Sequence, residues 1–72
     1  MASTYMENCN YNLVKLLLGK LDDAWRVEKH YLGDSDDKNY RKVLEEIKAD
    51  DEKHIEILKE EITRRIKEEK FD

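Results

Sequence analysis

Proline is absent from these 72 residues, which hold only two glycines and one cysteine. Without proline the chain lacks the residue that breaks a helix most strongly. With glycine confined to positions 19 and 33, the chain has few places to turn back on itself. Cys9 has no second cysteine to pair with and no His or Asp close by in sequence, so it reads as a free helix thiol rather than a disulfide or a nucleophile. Long apolar runs are missing too. The longest, Leu16-Leu17-Leu18, falls far short of the roughly 20 residues that span a bilayer, and "MASTYMENCNYN" lacks the basic and apolar regions of a secretory leader. The expectation is a cytoplasmic chain with no membrane segment. Nor is there an excess of basic charge. The 14 basic and 18 acidic residues give a net charge of −4 and are interleaved, which leaves no bare basic face for nucleic acid. No Ser-His-Asp order and no glycine-rich phosphate loop occurs, so most enzyme classes lack their residues.

What is present points to helix. Charged residues make up 44% of the chain and apolar ones 39%, and the apolar ones recur at three and four instead of being scattered. This predicts an all-α fold in one domain, residues 1–72: a long antiparallel αα-hairpin with helix 1 over about 4–32, a turn at 33–35 and helix 2 over about 36–69. Thr4 begins a Thr-x-x-Glu box with Glu7, and Asn10 and Asn12 are rival starts. Gly33 suits a left-handed helix end. Asp34 or Ser35 can cap the next helix, and Asp36 and Asp37 suit its positive end better than they suit a calcium loop.

In helix 1 the stripe is Leu13, Val14, Leu17, Leu18, Leu21, Ala24, Trp25, Val27, Tyr31 and Leu32. In helix 2 it is Tyr40, Leu44, Ile47, Ile55, Leu58, Ile62 and Ile66, backed by opposite charges four apart such as Lys48 with Glu52 and Arg64 with Glu68. A chain this short buries only about 60% of its unfolded surface. Its core is one layer deep, and its first stripe is wider than one neighbour covers. The expected remedy is a homodimer that completes a four-helix bundle.

Polar residues interrupt the stripes. Asp51 and His54 fall on core-facing places of helix 2, and Glu28 falls on the series 14, 17, 21, 24, 28, 31 of helix 1. An acid and an imidazole three apart point nearly the same way and can share a metal ion. They can equally pair with each other or with Lys and Arg stems at the bundle edge, and the spacing leaves both readings open. If the turn centres near residue 35, Asp51 lies level with about residue 19 and some 10–15 Å along the axis from Glu28.

The segment "LLLGKLDDAWRVEKHYL" followed by "VLEEIKADDEKHIEILKEEI" resembles one half of a rubrerythrin or ferritin-like four-helix bundle. The resemblance implies a di-metal carboxylate protein binding iron, manganese or zinc. His54 matches the histidine ligand and Tyr31 the tyrosine of the first helix. Asp51 stands where the family has a Glu, and Ala24 stands seven residues before Tyr31, where the first-helix ligand belongs. Glu28 or Asp23 is the substitute that the resemblance implies, so the implied ligands are Asp51, His54 and Glu28. Without metal, the same hairpin reads as an oligomerisation or protein-interaction module.

Overall fold

A computed structural model describes residues 5–72. Two long helices pack side by side, α1 over Asn8–Arg26 and α2 over Lys38–Lys67, and the described residues form no strand. The expected helical hairpin is present. It measures 47 × 21 × 16 Å, one layer deep along its whole length.

The ends of the helices differ from the sequence expectation in instructive ways. The start expected at Thr4 lies outside the described residues, and α1 begins at Asn8. Glu7, expected as the return partner of a Thr cap, is itself the cap. Its Oε2 accepts from the Cys9 amide at 2.8 Å and the Asn10 amide at 3.2 Å. A carboxylate there meets two unpaired amides and the positive end of the helix together. The Cys9 thiol, with the amides of Asn10 and Cys9 and the Arg65 guanidinium, holds the Glu7 carboxyl below its usual value. Glu7 in turn pushes the Cys9 thiol up, against the thiolate that a nucleophile needs.

Regular α-helix stops at Arg26 rather than running on to 32. Residues Val27–Tyr31 widen into a π-turn, where the Leu32 amide reaches back five residues to the Val27 carbonyl, and Leu32–Asp34 then tighten into a 3₁₀ turn. Gly33 is not left-handed, contrary to expectation. The exposed carbonyls of this segment are met from across the turn: the Tyr40 hydroxyl donates to the Tyr31 carbonyl at 2.8 Å, and the Arg41 guanidinium donates to the Leu32 carbonyl. With side chains of α2 closing the end of α1, no glycine cap is needed. The α2 cap is Asp37, accepting from the Asn39 amide at 3.0 Å, with Ser35 accepting from the Asp37 amide at 3.0 Å, so the helix starts two residues later than expected.

At its far end α2 stops at Lys67 in a Schellman turn. The Lys70 amide donates to the Arg65 carbonyl at 2.8 Å and the Glu69 amide to the Ile66 carbonyl at 3.1 Å. Glu69 carries the left-handed conformation, φ 59°, that glycine usually supplies. The turn swings the last residues over the start of α1, where the Glu7 amide donates to the Asp72 carbonyl at 3.2 Å.

The core is thin. Val27 is the one buried apolar side chain among the described residues, and the other apolar side chains between the helices are half-buried. Asn10, by contrast, is fully buried. Its Nδ2 donates to the Lys70 carbonyl at 2.9 Å, and its Oδ1 accepts from Arg65 Nε at 2.6 Å. Arg65 also pairs with Glu7 at 3.6 Å, so a polar clamp fastens the open end of the hairpin. A buried amide is tolerated only when satisfied, and here both of its ends are.

Candidate functional site

Asp51 lies between the helices, 6% exposed, and forms an ion pair with Lys20 at 3.1 Å. That contact agrees with the level near residue 19 read from the hairpin geometry. It also places a lysine ammonium at the carboxylate oxygen where a metal ion would sit. Glu28 is exposed and pairs with Lys48 at 3.2 Å and Lys29 at 3.8 Å. His54 faces outward, which corrects its expected core-facing place. The three side chains are not brought together within one chain. Among the described residues no group of three or more His, Cys, Asp or Glu is arranged to hold a metal ion. Within one chain, then, Asp51, His54 and Glu28 do not assemble the donor set that the ferritin-like resemblance implies.

The reason His54 turns outward is the register of α2. Along the face of α2 turned to α1 the half-buried or buried positions run Leu44, Lys48, Asp51, Ile55, Leu58, Ile62 and Arg65, an alternation of four and three, with Tyr40, Arg41 and Glu61 half-buried beside them. Ile47 and Ile66, expected inside, are exposed, and the stems of Lys48 and Arg65 lie inward instead. Each of those cations has a partner across the hairpin, Glu28 of the π-turn for Lys48 and both Asn10 and the cap residue Glu7 for Arg65. A charged stem covers apolar surface well while its head finds a counter-charge.

On α1 the positions facing α2 are Asn10, Leu13, Leu17, Lys20, Ala24 and Val27, all buried or half-buried. One residue further on runs a second row with the same repeat: Tyr11, Val14, Leu18, Leu21 and Trp25. At 100° per residue this row looks to one side of the hairpin, away from α2. Tyr11, Leu18, Leu21 and Trp25 are 41%, 55%, 45% and 53% exposed, and Val14 is half-buried. The Trp25 and His30 rings make a T-shaped contact at 4.8 Å between centroids, and the indole stays about half exposed. The sequence reading merged both rows into one broad stripe. The signal that separates them is the doublet Asn10-Tyr11, Leu13-Val14, Leu17-Leu18, Lys20-Leu21 and Ala24-Trp25, two heptad rows side by side on one helix.

The outer row of α2 is built otherwise. It reads Val43, Ile47, Asp50, His54, Ile57 and Glu61, with an acid and an imidazole at its middle. Three apolar members are 48%, 48% and 59% exposed, but no two neighbours across the centre are apolar. The continuous apolar surface thus belongs to α1. Among the described residues no helix is long and apolar enough to cross a membrane. The chain matches no protein-family model, no curated protein and no solved structure.

Proposed function

We propose that this chain is a self-associating helical hairpin, an interaction module whose outer row on α1 is covered by a second copy. One observation carries the reading. Val27 is the only buried apolar side chain described, while Leu18, Leu21 and Trp25 stand about half exposed in a continuous row. The exposed area makes the same point, since the chain presents 5715 Å², against the roughly 4,700 Å² expected of a folded monomer of its mass. Pairing of two hairpins is also what the likeness to ferritin-like halves implies, without their metal.

The test is mass in solution. Sedimentation equilibrium at micromolar concentration is expected to give twice the 8.7 kDa of the chain, with a melting temperature that rises with protein concentration. A species of single mass at 100 µM that melts cooperatively and independently of concentration overturns the proposal. Addition of Fe(II), Mn(II) or Zn(II) is expected to leave melting unchanged. A metal-dependent rise abolished by both Asp51→Ala and His54→Ala would move the assignment to a metal site shared between copies.

A further inference from the structure

We infer that the second copy lies antiparallel on α1, with the two-fold axis between Leu18 and Leu21. This rests on the self-association proposed above and adds which residues meet. In that arrangement Leu18 faces the partner's Leu21, Val14 faces the partner's Trp25, and each contact occurs twice. The row is self-complementary in size: two leucines fill one layer, and the small Val14 leaves room for the indole in the next.

Charge selects the direction. With Tyr11 and Val14 as the first and fourth places of the heptad, the flank of the row away from α2 carries Asn8, Lys15, Asp22 and Lys29, and the other flank carries Asn10, Leu17 and Ala24. The second flank is packed against α2, as the buried and half-buried state of its members shows. In a parallel pair each flank meets the opposite flank of its partner, so Lys15 and Asp22 would meet only uncharged residues. In an antiparallel pair each flank meets its own kind. Lys15 then comes within about 3 Å, along the axis, of the level of the partner's Asp22, at 1.5 Å per residue. Both side chains are exposed, and within the chain neither makes an ion pair among the described residues. The antiparallel partner brings their opposite signs to one level.

Disulfide trapping in a Cys9→Ser background tests the direction. Lys15→Cys and Asp22→Cys chains are prepared separately, unfolded and refolded either alone or as an equal mixture, and then oxidised. A covalent dimer is expected only in the mixture, because along the axis two copies of residue 15 lie about 13.5 Å apart and two copies of residue 22 about 7.5 Å apart at 1.5 Å per residue, both beyond the reach of a disulfide. Charge exchange gives a second readout on folded, uncrosslinked protein. Lys15→Glu and Asp22→Lys are each expected to raise the dimer Kd about 3- to 10-fold, as loss of two exposed pairs would, and the double exchange is expected to restore it to within about 2-fold. Covalent dimers from either chain alone, or a dimer by mass that neither crosslinks in the mixture nor responds to charge exchange, overturns the antiparallel arrangement while leaving self-association standing. A monomer by mass overturns both.

Discussion

The two helices solve one problem in opposite ways. On α1 both rows are largely apolar, one turned to α2 and one to solvent. On α2 the inner row admits Lys48, Asp51 and Arg65, and the outer row is broken by Asp50 and His54. The polar members of the inner row on α2 each have a partner on α1 or its flanks: Lys20 for Asp51, Glu28 for Lys48, and Asn10 with Glu7 for Arg65. The difference teaches that polar contacts set how the two helices fit each other, while unspent apolar surface accumulates on one of them. Polar pairs give register at little gain in stability. Apolar area gives stability with little preference for register.

The contrast breaks most sharply if one charge is placed on each outer row. Leu21→Glu puts a carboxylate at the centre of the apolar row of α1 and is expected to raise the dimer Kd by about 100-fold or more, consistent with the cost of an unpaired buried charge. Ile57→Glu on α2 adds the same charge at a site of similar exposure and is expected to leave the Kd within about 2-fold. Sedimentation of the two variants side by side reads the comparison, and equal losses would show that both rows are covered.

A smaller effect tests the polar fit. Asn10→Ala removes both contacts of the clamp, leaving the Lys70 carbonyl and the Arg65 guanidinium without that partner. It is expected to cost about 1–3 kcal/mol in urea unfolding, with the dimer Kd shifting only as far as folding does. The smallest effect concerns the far end of α2. Glu69 is left-handed, φ 59°, and Glu69→Gly is expected to raise stability by about 1 kcal/mol. A loss of stability on that substitution would mean that the Glu69 side chain, and not only its backbone, holds the closing turn.

Much of the fold was legible in the sequence. Helical period, the absence of proline and the cluster from Gly33 to Asp37 together specify a hairpin with its turn in the right place. The level of Asp51 near residue 19 also followed from a simple count, and the Lys20 contact matches it. The π-turn was not legible, because its carbonyls are met by Tyr40 and Arg41, side chains that a local pattern cannot assign to the end of another helix. The clamp was illegible for the same reason, since Asn10 and Arg65 are 55 residues apart. Ile47 and His54 were read one place out. A pattern of apolar residues cannot recognise that a lysine or arginine stem with a partner across the interface outcompetes an isoleucine for the inward position. The candidate site was visible in part, as a stripe too wide for one neighbour, while its division into two rows needed the position of α2.

The buried amide of Asn10 has a bearing well away from the end of the hairpin that it fastens. Slipping α2 past α1 by one helical turn, about 5.4 Å, would carry the Lys70 carbonyl and Arg65 out of its reach and strand the amide without water or partner. The hairpin is thus indexed to a single notch. Because α1 can roll against α2 only within that notch, a polar contact near residue 10 decides which leucines, some 10–20 Å further along the helix, are offered to the next molecule.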